Sequence, residues 1–305
     1  MKSVFISILD YNQKETTLAC LASLEKIEHK GLQVNVIVID NYPKGVLEID
    51  TKKYKNISVI LTKTPDNLGF SGGHNVGIDY AMKQNADYVI VLNNDVIVDR
   101  GLVQELVKAA ESNERIGAVV PKIYFMAGNE YHKDRYKKSE LGKVFWYAGG
   151  KFDWDNIQGQ HIGVDEVDKG QYDNEGETDL LTGCCVLLTK AALRKVQGFD
   201  AAYFLYYEDA DLNTRLKQAG FVIYYAPKAV LWHVNAGATG GSGSVLQDYF
   251  ISRNRMRIGM RYARLRTKIA LIRESLRILA NGREWQKKGV IDYYLGRFGK
   301  GSYPV

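Results

Sequence analysis

The feature that most constrains the fold of this 305-residue chain is a regular alternation of strand-like and helix-like segments over its first 120 residues. Apolar runs such as SVFISIL, VNVIVID and ISVILT are rich in β-branched residues, and the segments between them have helical periodicity. Strands that alternate with helices at this spacing predict βαβ units. The expected fold class is therefore α/β, with a mainly parallel sheet flanked by helices.

The rest of the chain follows this pattern less regularly. The stretch 122–178 is rich in Gly, Asp, Tyr and Lys, so short strands and loops are expected there. A strand at IGAVVP is expected to stop at Pro121, because proline has no N–H to donate to a neighbouring strand. FVIYYAP and AVLWHV are predicted to be two separate strands. The predicted helices are 14–27, 71–84, 101–112, 190–196 and 211–219.

Composition excludes several classes of protein. The chain is 46% hydrophobic and 25% charged, and it has no run of 18 apolar residues of the kind that predicts a membrane-spanning helix. Its first segment lacks the features of a signal peptide, so a cytoplasmic location is expected. Cys20, Cys184 and Cys185 have no CxxC spacing, and we expect small buried hydrophobes rather than disulfides or a zinc site.

Charge is unevenly distributed along the chain. Residues 251–305 carry 14 Lys and Arg against three acidic residues, a net charge of +11. Residues 1–250 carry 27 basic and 32 acidic residues, a net charge of −5. The basic segment also has apolar residues at helical spacing. Such helices can lie on the inner face of an anionic membrane as a peripheral contact, or they can pack as a pair that forms a homodimer, and the sequence leaves both open.

Polar residues follow four of the predicted strands. Ligands of open parallel sheets bind beyond the carboxyl ends of the strands, so these residues are candidates for one site. They are Asp10-Tyr11-Asn12, Asp40-Asn41, the loop Asn67–Gly73 and Asn93-Asn94-Asp95. Each group alone is more often a turn or a helix start than a site. Their position at successive strand ends favours a shared site.

The chemistry of these residues suits a nucleotide with a bound cation. Tyr11 offers a ring on which a base can stack, and Asp40 can accept hydrogen bonds from a base or a ribose. The loop that contains Asn67 and Gly72 opens a helix, so its N–H groups can contact polar ligand atoms. Asp95 can point at Mg²⁺ or Mn²⁺, since such ions bind one or two carboxylates together with phosphate oxygens.

A second acidic cluster lies in the other half of the chain. Glu208, Asp209 and Asp211 follow the aromatic run YFLYY at a helix start, where acidic residues also complement the helix dipole. A carboxylate beside aromatic surface can serve as a general base. His233 ends an apolar strand before the glycine-rich loop NAGATGGSGS, and it is either a structural histidine or a metal ligand.

Taken in order, these stretches resemble family 2 glycosyltransferases with the Rossmann-like GT-A fold, especially the bacterial rhamnosyltransferase-like branch. The resemblance implies a catalytic domain over 1–245, with a nucleotide-binding half at 1–120 and an acceptor and catalytic half at 121–245. A basic helical region over 246–305 follows. The matching runs are SILDYN, VIVIDN, DNLGFSGGHNVGI, YVIVLNNDV, ETDLLTGCCVLL, FLYYEDADLNTRLKQAGF and VLWHVNAGATGGSGS.

The resemblance assigns roles to individual residues. Asn93-Asn94-Asp95 stands at the family's DxD motif, with Asn in place of the first Asp and Asp95 as the metal ligand. Glu208-Asp209 matches the family's ED motif, with Asp209 as the catalytic base. His233 matches the histidine that completes the metal and diphosphate site. With the loop residues included, the residues expected to contact the donor are Ser7, Tyr11, Asp40, Asn67, Gly72, Asn93, Asn94 and Arg253.

The implied activity is inverting transfer of a sugar from a nucleoside diphosphate to a glycan hydroxyl, in the assembly of a bacterial polysaccharide or O-antigen. The branch favours dTDP-rhamnose as the donor and leaves UDP-linked sugars open. The acceptor is expected to be a glycan, free or carried on polyprenyl diphosphate, and no nucleic-acid partner is expected.

Two other functions remain open from the sequence. A nucleotidyltransferase is expected to have a basic glycine-rich loop after its first strand, where this chain has LDYNQKE. A non-catalytic nucleotide- or carbohydrate-binding subunit would not need the acidic residues Asp95 and Asp209.

Overall fold

A computed structural model describes residues 1–234 and 243–304 of the chain. These residues contain twelve strands and eight α-helices, besides two short 3-10 helices. The strands are β1 Lys2–Asp10, β2 Leu32–Asp40, β3 Ser58–Lys63, β4 Tyr88–Asn93, β5 Val96–Val98, β6 Ile116–Phe125, β7 Phe145–Tyr147, β8 Gly150–Asp153, β9 Gln158–His161, β10 Gly176–Glu177, β11 Cys185–Thr189 and β12 Val222–His233. The helices are α1 Lys14–Leu24, α2 Gly69–Lys83, α3 Leu102–Glu111, α4 Lys190–Val196, α5 Glu208–Gln218, α6 Val245–Tyr262, α7 Leu265–Asn281 and α8 Glu284–Tyr294.

Ten of the described strands form one sheet. Its order is β10-β12-β6-β11-β4-β1-β2-β3, with β5 beside β12 and β7 beside β6. The longest pairings are parallel: β1 with β2, β1 with β4, β2 with β3, and β12 with β6. The strand β11 joins the two parallel groups by running antiparallel to β4 and β6. The predicted α/β class with a mainly parallel sheet is confirmed.

The central strands are covered on both faces, and their sequences explain why. Strand β4 reads YVIVLN and is buried at all positions but the last, and β2 is buried at eight of its nine positions. Near-continuous apolar runs of this kind suit parallel strands that have helices on both sides. Cys20, Cys184 and Cys185 are free thiols in this interior, as predicted. The close-packed interior around β1, β2 and β4 therefore fixes the positions of their carboxyl ends.

Pro121 does not end its strand, contrary to expectation. Strand β6 continues through Pro121, and its neighbours change at that point. On one side β11 pairs with β6 up to Val119 and β7 pairs from Ile123 onward. On the other side the register with β12 shifts between Ala226 and Val230. Because the pairing of β6 with its neighbours is already interrupted at Pro121, the N–H group that proline lacks costs the sheet little stability.

The predicted strands FVIYYAP and AVLWHV form one strand, β12. The register shift after Ala226 accommodates the residues that suggested a break, Pro227 among them. Helix α5 also differs from expectation, since it begins at Glu208 rather than at Asp211. In the stretch 122–178, short strands and loops are observed, as predicted.

Three helices follow the sheet. Helix α6 begins after Ser244, whose side chain accepts a hydrogen bond from the N–H of Gln247 at 3.3 Å. Helix α8 packs against α6, and α7 contacts both. The predicted domain boundary at residue 245 stays a prediction. Residues 235–242, which include most of the loop NAGATGGSGS, lie outside the described residues.

No helix within residues 1–234 and 243–304 combines the length and hydropathy needed to span a bilayer.

Candidate active site

A cavity of about 570 Å³ lies beyond the carboxyl ends of β1, β2 and β4, with α5 on its opposite wall. The crossovers of a parallel sheet bring these strand ends to one edge. Eight of the predicted site residues line the cavity together. They are Tyr11, Asn67, Asn93, Asn94, Asp95, Glu208, Asp209 and His233.

Asp95 and His233 meet at one side of this cavity. Asp95 lies between β4 and β5, and β5 pairs antiparallel with the end of β12, so His233 stands opposite Val96. The Nε2 atom of His233 lies 3.2 Å from Oδ1 of Asp95, and the two side chains are 9% and 11% exposed. The ring of Trp146 packs edge-on against His233, with ring centroids 4.7 Å apart.

This pair fits a divalent cation that takes its other ligands from a diphosphate. The oxygen and nitrogen atoms lie 3.2 Å apart at the same cavity, so both would be available to one ion. Carboxylate oxygen and neutral imidazole are both ligands of Mn²⁺, and carboxylate oxygen suits Mg²⁺. The described residues contain no group of three or more His, Cys, Asp or Glu side chains that could hold a metal by themselves.

Glu208 and Asp209 form the facing wall, in the first turn of α5. Oδ1 of Asp209 accepts a hydrogen bond from the N–H of Ala210 at 2.7 Å, and its carboxylate also accepts from the backbone of Gly183. Burial raises the pKa of Asp209 to about 6. Burial, together with the charge of Asp209, raises the pKa of Glu208 well above its usual range. A carboxylate with a pKa near neutrality is suited to accept a proton from a substrate.

The aromatic run before α5 has an unusual backbone conformation. Three of its residues have positive φ angles of 66°, 67° and 69°, a region that costs non-glycine residues free energy. They are Phe204, Tyr206 and Tyr207. The Nδ2 atom of Asn254 in α6 donates to the carbonyl oxygens of Tyr203, Leu205 and Tyr206 at 2.8, 2.8 and 2.9 Å. Helix α6 therefore holds the loop that positions Glu208 and Asp209.

The loop after β3 is organised by Asn41, a strand-end candidate that was not among the residues expected to contact the donor. Its Nδ2 atom donates to Oδ1 of Asn67 at 3.0 Å, and its Oδ1 accepts from the N–H of Leu68 at 2.9 Å. Asn41 lines the cavity, and so does Tyr11, whose ring packs edge-on against Tyr42. Asp40 was the more conspicuous residue because it is charged, but its neighbour faces the cavity.

Four predicted donor contacts do not line this cavity. Ser7 is fully buried, and its hydroxyl hydrogen-bonds to Nδ1 of His74 at 2.9 Å. Asp40 is 2% exposed and accepts from the N–H groups of Tyr42 and Leu47 at 3.2 and 3.0 Å, so it shapes a turn. Gly72 lies inside α2, where a Cβ atom would come within 2.9 Å of Leu68.

Arg253 is the fourth, and the structure does not bring it to the cavity. Its side chain is fully buried. The guanidinium donates to the carbonyl oxygens of Tyr203 at 2.9 Å and Gly299 at 2.7 Å, and to Oδ1 of Asn254 at 2.9 Å. Arg253 therefore joins the aromatic run to the segment that follows α8.

Several cavity residues had no individual role assigned from the sequence. They are Leu9, Asn41, Gly69, Phe70, His74, Trp146, Thr182, Gly183, Cys184, Phe204, Leu205, Tyr206, Leu246, Tyr303 and Pro304. Burial lowers the pKa of His74 to about 3, so it is a neutral part of the cavity floor. Some of these residues lie in runs that were already noted, such as DNLGFSGGHNVG. Tyr303 and Pro304 had no motif to indicate them.

The sequence matches a known protein family. A model described as "Glycosyltransferase like family 2" matches residues 3–258. The chain belongs to this family. It is therefore a glycosyltransferase, and the family match covers every strand of the sheet and stops within α6.

Two curated relatives align with about two thirds of this glycosyltransferase. An N-acetylglucosaminyl-diphospho-decaprenol L-rhamnosyltransferase of Mycobacterium tuberculosis is 30% identical over 216 residues, which cover 68% of each chain. The rhamnosyltransferase WbbL of Escherichia coli is 25% identical over 212 residues, which cover 67% of this chain and 74% of the relative. The likeness to a rhamnosyltransferase branch is confirmed at the level of sequence.

Two solved structures show the fold. A crystal structure of GalNAc-T7 with UDP, GalNAc and Mn²⁺ superposes with a TM-score of 0.61 at 15% identity. It covers 90% of this chain, and this chain spans 55% of that enzyme's length. The mannosyltransferase PcManGT from Pyrobaculum calidifontis, with GDP-Man and Mn²⁺, superposes with a TM-score of 0.51 at 12% identity, covering 99% of this chain and 76% of that one. The glycosyltransferase therefore has the GT-A fold.

A second cavity, of about 560 Å³, lies on the other side of Asp209 in this glycosyltransferase. It shares Asp209 and Tyr206 with the first cavity. The hairpin β8–β9 and helix α6 form most of its remaining wall. The residues concerned are Phe152, Asn156, Ile157, Gln158, Gly159, His161, Leu180, Tyr207, Ala210, Ile251 and Arg255. A carboxylate between two cavities can face a ligand in each of them.

Proposed function

We propose that this enzyme transfers a sugar, with inversion, from a nucleoside diphosphate to a glycan hydroxyl, with Asp209 as the general base. The position of Asp209 supports this most directly. It lines the cavity that contains the Asp95–His233 pair, and it also lines the second cavity. A base that reaches both cavities can take a proton from an acceptor in one while a donor lies in the other.

The donor site extends from Asp95 and His233 to the loop after β3. Asn93 and Asn94 lie beside Asp95, and Tyr11, Asn41 and Asn67 lie at the neighbouring strand ends, towards β3. Asp95 and His233 would hold Mg²⁺ or Mn²⁺ there. Such an ion, when bound, supplies positive charge that stabilises the departing nucleoside diphosphate.

The reaction is a single displacement. Asp209 accepts the proton of the acceptor hydroxyl as the oxygen forms a bond to the anomeric carbon. The bond from that carbon to the phosphate oxygen breaks, and its electron pair leaves with the nucleoside diphosphate. The transition state has oxocarbenium character, as in glycoside hydrolysis. Because attack is opposite to the leaving group, configuration inverts and no covalent enzyme intermediate forms.

The second cavity is proposed as the acceptor side. Its aromatic residues Phe152, Tyr206 and Tyr207 offer flat apolar surface, and Asn156 and Gln158 offer hydrogen-bonding amides. Ligand sites of this kind combine apolar walls with a few polar groups. A saccharide presents both kinds of surface, so a glycan hydroxyl can be directed at Asp209.

The names of the relatives support a finer proposal for both substrates. Two of them are named as rhamnosyltransferases, and one name includes a diphospho-decaprenol acceptor. The proposed donor is therefore dTDP-rhamnose. The proposed acceptor is a glycan on polyprenyl diphosphate, in bacterial polysaccharide or O-antigen assembly.

A peripheral membrane contact through α7 would suit such an acceptor. Four apolar residues at spacing i, i+4, i+7 and i+11 are 40–73% exposed on α7, and this apolar stripe consists of Leu265, Ile269, Ile272 and Leu276. Arg266, Arg273 and Arg277 flank the stripe. Apolar residues beside basic ones suit an anionic lipid surface, so we favour membrane contact over a homodimer. The cytoplasmic location stays a prediction.

The first experiment is calorimetric titration with dTDP and UDP, each with and without Mn²⁺. We expect binding that strengthens with Mn²⁺, and the tighter nucleotide identifies the base of the donor. Asp95→Ala is expected to remove the effect of Mn²⁺ and to leave the weaker, metal-independent binding. A folded protein that binds neither nucleotide would contradict the proposed function.

A further inference from the structure

The segment 299–304, which follows α8, reaches back to the donor cavity. Tyr303 and Pro304 line that cavity together with Tyr11 and with Leu246 of α6. Burial, and then the Tyr11 side chain in the same cavity, raise the pKa of Tyr303. Tyr303 and Pro304 lie outside the family match, which ends at residue 258. This wall of the cavity therefore belongs to a part of the chain that the family pattern does not describe.

Tyr303 is held by an aromatic cluster. Its ring centroid lies 5.2–5.5 Å from those of Trp285, Phe250 and Tyr249. Phe250 in turn stacks on Phe204, with ring centroids 5.0 Å apart and an angle of 10° between the rings. Aromatic packing of this kind fixes ring orientation as well as burying apolar area. The position of Tyr303 is therefore coupled to the aromatic run before Asp209.

Polar contacts hold the backbone of the same segment. The N–H of Ser302 donates to the Tyr249 hydroxyl at 3.0 Å and to Oδ2 of Asp292 at 2.8 Å. The hydroxyl of Ser302 donates to Oδ1 of Asp292 at 3.0 Å. Arg253 donates to the carbonyl oxygen of Gly299, as described above. The buried Arg253 thus acts on the cavity through this segment, as a positioning residue.

The position of Tyr303 along the cavity determines which part of a bound nucleotide it can contact. In the sheet, β4, β1, β2 and β3 are successive neighbours, so Asp95 and His233 lie on one side and Asn41 and Asn67 on the other. With strands about 4.8 Å apart, β4 and β3 are about 14 Å apart. A nucleoside diphosphate with its phosphates at the Asp95–His233 pair places its nucleoside towards Tyr11 and the Asn41–Asn67 side.

We propose that the segment 299–304 is part of the donor site and that Tyr303 contacts the nucleoside of the bound nucleotide, opposite Tyr11. This inference rests on the proposed function, because it requires a nucleotide in the cavity. The ligand class is a pyrimidine nucleoside phosphate, either thymidine or uridine. The helical region after residue 245 then completes the donor site instead of only covering the catalytic domain.

The test compares nucleotide affinities of Tyr303→Ala, Tyr303→Phe and the unmodified enzyme by calorimetry. The probes are dTMP and UMP without metal, and dTDP and UDP with Mn²⁺. Loss of a base–aromatic contact weakens binding by about tenfold or more, so Tyr303→Ala is expected to weaken all four by the same factor. Tyr303→Phe keeps the ring and is expected to stay within about twofold. Tyr131→Ala, an exposed tyrosine outside the cavity, is the matched control.

The outcomes separate this inference from the proposed function. If the unmodified enzyme binds these nucleotides and Tyr303→Ala binds them equally well, the inference is wrong and the proposed function stands. If the unmodified enzyme binds none of them, both fail. A loss confined to the diphosphates places Tyr303 at the metal end and overturns the nucleoside contact.

A second measurement needs no variant. The amide of Ser302 exchanges with solvent only when its bonds to Tyr249 and Asp292 open. If a nucleotide contacts this segment, saturating UDP or dTDP is expected to slow exchange of the amides of residues 299–303 several-fold. Unchanged exchange under saturation contradicts the inference even if Tyr303→Ala fails to fold.

Discussion

At the scale of single residues, Asp209 gives the sharpest prediction. Asp209→Asn keeps the shape of the side chain and removes its ability to accept a proton. We expect product formation to fall by about 10²–10⁴-fold, while the calorimetric affinity for dTDP or UDP changes by less than about twofold. Stability should not fall, because a carboxylate whose pKa is raised by burial does not stabilise the fold in its charged form.

Glu208→Gln is the matched comparison for this prediction. The raised pKa of Glu208 favours its protonated form, which an amide resembles. Its loss of activity should therefore be smaller than that of Asp209→Asn. The opposite ranking, or turnover retained in Asp209→Asn, would show that Asp209 is not the base.

The pH dependence follows from the same residue. A folded-state pKa of about 6, above the ordinary 3.8, means that Asp209 is protonated below about pH 6 and cannot then accept a proton. We expect kcat/KM to fall as pH drops through about 6 and to level off above it, with an apparent pKa that belongs to the Glu208–Asp209 pair. Initial rates between pH 4.5 and 8 measure this. A flat profile over that range contradicts the assignment.

The same shift has the opposite effect on folding stability. Between about pH 4 and pH 6 the folded state binds more protons than the unfolded state at Asp209, so its contribution to stability is lost as pH rises through that interval. Asp209→Asn should remove this dependence. The proposed mechanism therefore needs the ionised form of Asp209, although this form makes the folded state less stable than an uncharged side chain would.

At the scale of elements, Gly69 at the start of α2 allows this helix to approach the aromatic run closely. Gly69 has φ = +67°, and a Cβ atom there would lie 2.5 Å from the ring and the carbonyl oxygen of Phe204. Gly69→Ala is expected to destabilise the protein by about 2–5 kcal/mol, the sum of the left-handed backbone cost and the overpacking. Urea unfolding measures this change.

Gly31→Ala separates the two causes. Gly31 has φ = +79°, and its Cβ would meet nothing within 4 Å, so only the backbone cost of about 1–2 kcal/mol applies. The difference between the two variants measures the contact of α2 with the aromatic run. If the two variants lose the same free energy of unfolding, then α2 and the aromatic run are not tightly packed against each other.

The elements also show where prediction from sequence succeeds. Most helix and strand positions of the first 120 residues follow from periodicity because these segments are long and bounded by polar residues, but the three-residue strand β5 was not predicted. Pro121 was misjudged because its effect depends on which strands lie beside β6, and that is a property of the assembled sheet. The aromatic run before α5 is held by Asn254, a residue 46 positions beyond Glu208, and such a distant contact leaves no local signal for where α5 begins.

At the scale of the whole molecule, the site also contains residues that local sequence patterns predict and residues that only long-range packing brings there. Tyr11, Asn93 and Asp95 were predicted because each follows a strand, and strand ends meet wherever a parallel sheet forms. Tyr303 and Trp146 could not be predicted in this way, since long-range packing alone brings them to the cavity. Arg253 was expected at the donor from the family resemblance, but its carbonyl partners hold it inside the protein.

The apolar stripe of α7 gives the last prediction. The face of α7 that packs on the protein contains Thr267, Leu271 and Ser275, and the stripe lies on a different, exposed face. Burying exposed leucine and isoleucine side chains contributes about 1.5–3 kcal/mol each, and basic residues near an anionic membrane contribute about 1 kcal/mol each. The enzyme is therefore expected to bind vesicles that contain phosphatidylglycerol and to be released by high salt, since salt screens the basic residues.

The double variant Ile272→Glu/Leu276→Glu is expected to weaken vesicle binding by at least about tenfold in sedimentation, because it puts charges into the stripe. Val46→Glu/Tyr131→Glu, which adds the same two charges at exposed positions outside α7, is expected to bind vesicles nearly as well as the unmodified enzyme. Nucleotide affinity should be the same in both. If the unmodified enzyme ignores the vesicles but dimerises, and the α7 variant alone becomes monomeric, then the stripe is a subunit interface and the membrane proposal is wrong.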